Sequence, residues 1–270
     1  MGLIHTKMLV HYLRHEKYRL LYNINSMRLL ILVIVLIDFY YISAQEFTLP
    51  EDTEVWNPVP RIVDTFDNLA PSDAIILFDK DSLNNWQKIN GNPADWELKS
   101  NIFTIKPGTG DILTKQKFSS VQFHIEWRAP RLSDESGQNR GNSGIFFQER
   151  YELQILDSYN NKTYTNGQAG SIYKQFIPLV NASREPYVWQ NYDVIFIAPT
   201  FNDNGSINTK ANMTVFHNGI LVQYKVILEG ATTYIGKPKY DFHNNGSILL
   251  QDHGSKISFR NIWVREIEVP

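Results

Sequence analysis

Cysteine is absent from all 270 residues. That excludes disulfides, a thiolate nucleophile, a cysteine zinc site and a lipidated cysteine anchor. No apolar run is long enough to span a bilayer. The longest, Leu29–Ile37, has nine residues and stops at Asp38, whereas a membrane helix needs about 20. Met27-Arg28 before this run and Ile42-Ser43-Ala44 after it form a basic start, a short apolar core and a small-residue cleavage site, the pattern of a secretory signal. The pattern predicts residues 1–44 as a leader, with translation starting at Met27 and residues 1–26 as an extension. It predicts export to the periplasm or beyond, and no stable membrane anchor. Residues 45–73, rich in Pro, Asp and Glu, read as an extended lead-in. An exported domain without disulfides relies on its core, which suits a bacterial periplasm.

An excess of basic charge is missing too. The net charge is -2, and without residues 1–44 it becomes -5. No electrostatic footprint for nucleic acid exists. Zinc spacings such as His-x-His or His-Glu-x-x-His are missing, as is the Gly-x-Ser-x-Gly elbow of serine hydrolases. No long segment keeps a helical period.

Short strands with turn chemistry fill the chain instead. Gln122–Arg128 alternates, with Phe123, Ile125 and Trp127 on one face and Gln122, His124, Glu126 and Arg128 on the other. Glu126 and Arg128 are therefore expected on a polar face, as a cleft floor or a solvated cross pair. Trp96–Lys99 and Ile102–Ile105 flank Ser100-Asn101 as a hairpin, and Asn218-Gly219 between apolar runs suits a type I′ turn. His217, beside that turn, is expected at the surface. Short strands at regular spacing predict an all-β fold, a single-domain sandwich or jelly roll over residues 74–268.

The densest chemistry lies in Gly141–Ser158, two strand-forming runs around a polar bend at Glu149-Arg150. Glu152 and Gln154 share one face and Leu153 and Ile155 the other. An acid and an amide so placed either line a wet cleft or satisfy each other. Arg140 precedes the hairpin and Asp157 follows it. His253 sits in Gln251-Asp252-His253-Gly254, at a strand end where site residues concentrate. The spacing Glu152-x-Gln154-x-x-Asp157 resembles the Glu-x-Asp-x-x-Glu pattern of laminarinase-type glycosidases, except that Gln154 cannot titrate. That departure weakens a two-carboxylate mechanism, which needs one acid protonated and one ionised.

A wider resemblance runs from Ala74 to Glu268. Leu77–Trp86, Thr114–Phe118, Phe123–Arg128, Gly141–Ile145, Tyr151–Ser158, Leu250–Gly254 and Phe259–Ile262, in this order, resemble the 3-keto-glycoside lyase/hydratase family, also called 3-keto-disaccharide hydrolases. The resemblance implies a concanavalin-like jelly roll and an exported bacterial enzyme with a carbohydrate substrate. It implies proton abstraction at C2 of a 3-keto sugar, β-elimination at C1 and rehydration. Such chemistry needs a base, an enolate stabiliser and an acid. His253 or Glu152 is the expected base and Asp157 the acid or orienter. Arg140 or Arg128 stabilises the enolate, or a divalent metal ion does so. Asn142, Gln154 and Gln251 bind hydroxyls, and Tyr173 and Trp189 stack on the ring. A non-catalytic carbohydrate-binding module and an ordinary glycosidase are the alternatives.

Overall fold

Strict alternation of large apolar residues makes two sheets that each bury one face. In the computed structural model, residues 14, 16–17, 19–24, 27–32, 49–64, 70–78, 80–131 and 134–268 are described. Cleavage after Ala44, Asp79 and part of the loop after Arg131 lie outside them. The chain divides into two compact units, Met1–Arg61 and Ile62–Pro270. In the first, residues 27–32 are helical and Pro50–Thr53 form a 3-10 turn. Among the described residues, no helix is long and apolar enough to cross a membrane.

The second unit holds fifteen strands among the described residues. They are β1 (Ile75–Phe78), β2 (Trp86–Lys88), β3 (Glu97–Lys99), β4 (Ile102–Thr104), β5 (Ile112–Thr114), β6 (Val121–Arg128), β7 (Ser143–Phe147) and β8 (Tyr151–Ile155). They continue with β9 (Gln190–Ile197), β10 (Thr200–Phe201), β11 (Ile207–Thr209), β12 (Asn212–His217), β13 (Ile220–Ile227), β14 (Leu249–Leu250) and β15 (Ser258–Glu266). The larger sheet runs β13-β12-β9-β6-β15-β4-β3, with β1 also on β15; the smaller runs β2-β5-β14-β7-β8. Every sheet pairing is antiparallel. This is the expected all-β jelly-roll sandwich.

Aromatic side chains lock the two inner faces. Phe147 of the smaller sheet meets Phe123 edge-on at 5.4 Å and stacks on Phe196 at 5.0 Å, both from the larger sheet. The Tyr192 hydroxyl crosses the sandwich to donate to the Gln154 carbonyl at 2.9 Å. The expected turns form, since both flanking runs demand them. Ser100, Asn101 and Asn218 take positive φ, as does Gly219. The central bend sits one residue earlier than expected. Gln148 and Glu149 carry the positive φ values, and Arg150 N–H donates to the Phe147 carbonyl.

His217 corrects an expectation. It is fully buried, its Nε2 is 2.8 Å from Gln190 Oε1, and its ring packs on Trp127 and Tyr192. Its even spacing from Met213 and Val215 puts it on the inward face of β12. Burial, then the nearby Arg184 charge, pushes its pKa down to about 3, so the imidazole is neutral.

Phe147→Ala removes the central contact between sheets. It is expected to cost about 3–5 kcal/mol of stability, read as a lower urea midpoint with an unchanged slope.

Candidate active site

The outward faces of β7 and β8 form the floor of a cavity. Their register sets Gly144 opposite Gln154 and Phe146 opposite Glu152. All four therefore point away from the core. The outer edge of β8 is roofed by two segments. Glu152 N–H donates to Thr232 Oγ1 at 3.0 Å, and the Glu152 carbonyl accepts from Tyr173 N–H at 3.2 Å. The cavity, about 300 Å³, is bounded by Asn142, Glu152, Gln154, Tyr173, Gln251 and His253, with Phe146, Thr232 and Tyr234 completing it.

Glu152 is only 4% exposed. Burial alone pushes its carboxyl up from 4.5 to about 8, so the folded protein holds it protonated at neutral pH. Space for it comes from Gly144, where a Cβ would stand 2.7 Å from Glu152 Oε1 and 3.0 Å from the Phe146 ring. The Gln154 amide has two orientations with partners. In one its nitrogen donates to Gln138 Oε1 at 3.1 Å and Gly167 O at 3.3 Å. In the other the nitrogen lies 3.2 Å from Glu152 Oε1 and 3.1 Å from Ser143 O. The acid and the amide thus meet on one face.

His253, from the loop after β14, also lines the cavity and is exposed. A reciprocal lock holds its loop. Asp252 N–H donates to Asp111 Oδ1 at 2.8 Å, while Asp252 carboxylate oxygens accept from Gly110 N–H and Gly254 N–H, each at 3.0 Å. Burial raises the Asp111 carboxyl, against the Asp252 N–H and the nearby His253. At the mouth, Tyr173 shares a 2.7 Å hydrogen bond with Tyr164, and burial, with that bond, raises its pKa. Lys174 lies 3.9 Å over the Tyr234 ring and donates to the Tyr234 carbonyl.

Of the expected site residues, Glu152, Gln154, Asn142, Tyr173, Gln251 and His253 come together. Arg140 and Asp157 pair with each other instead. Arg140 Nε lies 3.0 Å from Asp157 Oδ2, and the guanidinium also donates to the Tyr159 carbonyl. Asp157 is 3% exposed, and burial raises its carboxyl against the pull of Arg140. Its side chain packs against Gly141, where a Cβ would come within 3.1 Å. This pair anchors the loop before β7, and neither residue lines the cavity. Asp157 lies five residues past Glu152, an odd spacing that turns it to the other face. Glu126 and Arg128 are likewise elsewhere, on the outward face of β6 in the larger sheet, opposite the cavity. Glu126 pairs with Arg260, and Arg128 stacks on Tyr187 and Trp189. Trp189 therefore does not reach the cavity. Gly144, Phe146, Thr232 and Tyr234 went unread in the sequence. Strand parity marks Gly144 and Phe146, but the segment carrying Thr232 and Tyr234 has no pattern.

The cavity offers one carboxyl and one imidazole. Among the described residues no three His, Asp or Glu side chains converge to hold a metal ion. This donor set does not fit a divalent ion.

A buried acid, an imidazole and a ring of amides above a β-sandwich sheet suit a carbohydrate-active enzyme, the class to which the family match assigns the chain. Residues 73–265 match the model of the 3-keto-alpha-glucoside-1,2-lyase-like domain, and the chain belongs to that family. A crystal structure from Parabacteroides distasonis, provisionally assigned as a glycosyl hydrolase, is 46% identical with a TM-score of 0.79, covering 83% of this chain and 99% of its own. A second from that organism, with the same provisional assignment, shares the fold at 20% identity and a TM-score of 0.54, covering 72% and 94%. No curated protein matches.

Two outcomes follow from the two buried acids. Glu152 binds its proton more tightly when folded, so its stabilising effect is complete below pH 4.5 and is lost as pH rises through about 8. The unfolding free energy of the wild type, read from urea melts, is expected to fall relative to that of Glu152→Gln across this window, by up to roughly 1.4 kcal/mol per pH unit. Arg140→Ala leaves Asp157 buried without its cation and is expected to cost about 3–5 kcal/mol of stability, measured by the same unfolding.

Proposed function

We propose that the enzyme cleaves 3-keto-glycosides by elimination and rehydration, with His253 as base and Glu152 as acid. The single observation that carries this reading is that the buried Glu152, its pKa raised by burial, lines one cavity with the exposed His253 imidazole. A ketone at C3 acidifies the proton at C2. His253 takes that proton, and the electron pair moves into the enolate. The enolate collapses to restore the C3 ketone and form the C1–C2 double bond as the C1–O bond breaks. Glu152 gives its proton to the departing oxygen. Water then adds across the double bond, giving the free 3-keto sugar.

The remaining lining suits the substrate. Tyr173, Asn142, Gln154 and Gln251 supply hydrogen bonds to the enolate oxygen and the ring hydroxyls, in place of the arginine first expected. A conventional glycosidase needs a second carboxyl within about 5–10 Å of the first, and Gln154 stands at the next outward position on β8. Export to the periplasm or beyond, expected from residues 27–44, belongs to the same proposal.

Offered a 3-keto-glucoside in deuterated water, the wild type is expected to release aglycone with deuterium at C2, and to leave the unoxidised glucoside intact. Its kcat/KM falls above about pH 8 as Glu152 ionises. Glu152→Gln loses about 10²–10⁴-fold in rate on an alkyl leaving group and recovers on a nitrophenyl one, while still exchanging the C2 proton. His253→Asn loses exchange and release together. Cleavage of the unoxidised sugar without C2 exchange would restore the glycosidase, and binding without cleavage of either would leave a carbohydrate-binding module.

A further inference from the structure

The outward face of the larger sheet carries a second groove, of about 330 Å³, that the proposed reaction does not use. Its floor is made by β6, β9 and β15. A bulge shifts the register of β15 against β6 between Arg260 and Trp263, and Asn261 within it takes φ of 46°. Bulges re-aim side chains, and this one sets Arg260, Asn261 and Trp263 on the groove lining. The polar groups are already ordered. His124 Nδ1 lies 2.7 Å from Asp193 Oδ1, and Asp193 Oδ2 accepts from Asn191 Nδ2 at 2.9 Å. Glu126 accepts from Asn261 Nδ2 at 2.9 Å and from Arg260 Nε at 2.5 Å. Aromatic rings hold the walls: His124 stacks on Trp263 at 5.1 Å, and the Arg260 guanidinium lies 4.2 Å over Trp189.

We infer that this groove binds a neutral pyranose unit of a longer glycan, apart from the cavity where Glu152 lies. Sugar hydroxyls both donate and accept, and the groove offers both in fixed positions. Glu126 accepts; Asn191, Asn261, Arg184 and Arg260 donate. An anionic ligand or nucleic acid would have to compete with the Glu126 carboxylate for Arg260. Preordered partners lower the entropic cost of binding, and the part-exposed Trp189 ring adds apolar surface for a sugar's C–H face. Glu126, expected from its strand pattern on a polar face, would contact sugar here. The inference rests on the carbohydrate-active class of the protein and not on the elimination mechanism. The two sites lie on opposite faces of the sandwich, so one glycan-bound molecule can present its cavity to a separate end or chain.

The test uses the full chain with ¹⁵N-labelled indoles, titrated with cellohexaose and, separately, maltohexaose. Trp189 and Trp263 indole signals are expected to shift with at least one of the two, while those of buried Trp86 and Trp127 stay in place. Asn261→Gly removes the amide and keeps the bulge, since glycine adopts positive φ freely. It and Glu126→Gln are expected to weaken binding at least tenfold and to leave kcat/KM on a small 3-keto-glucoside within twofold. Glu152→Gln is expected to leave the indole shifts unchanged even where it abolishes turnover, which separates failure of one site from failure of the other. No shift with either hexaose, a shift only with an anionic oligosaccharide such as a heparin hexamer, or loss of turnover in both groove variants would overturn the inference.

Discussion

A single carboxyl group withheld from water is the constraint on which the site depends. Glu152 projects outward from its sheet, where a carboxylate would ordinarily be solvated, yet the segments carrying Tyr173 and Thr232 close over it. With no cation in place to stabilise the charge, burial favours the proton. The neighbouring position tolerates this only because Gly144 has no side chain. Gln154 can meet a neutral or an ionised partner by turning its amide, which a second carboxylate could not do.

That arrangement separates two acids that look alike in sequence. Asp157 is as buried as Glu152, but Arg140 stands against it and the pair ties down the loop before β7. One acid keeps its proton and faces a cavity; the other faces a cation and serves the fold. The same division applies across the sandwich. The inner faces hold the sheets together through Phe123, Phe147 and Phe196, leaving both outer faces available for polar chemistry.

Much of this was legible from local pattern. The alternation in β6, the turn residues at Asn101 and Asn218, and the pairing of Glu152 with Gln154 on one face follow from a period of two. Family resemblance added the jelly roll and the carbohydrate substrate, and the family match agrees with it. Strand parity was also enough to turn Asp157 and His217 inward, although proximity in sequence suggested otherwise. What no local pattern carries is which sheet a strand joins. Glu126 and Arg128 sit on a polar face as expected, but that face belongs to the larger sheet. Thr232 and Tyr234 reach the cavity from an irregular segment whose position depends on contacts such as Thr232 N–H to the Arg150 carbonyl.

The proton on Glu152 is the point where fold and chemistry meet, and it can be observed directly. With glutamate ¹³C-labelled at the side-chain carboxyl, and Glu152→Gln identifying the signal, the Glu152 resonance is followed from pH 4 to 10. The account predicts a midpoint near 8. A midpoint near the ordinary 4.5 would mean that the carboxylate is ionised at neutral pH, and would contradict its role as the acid.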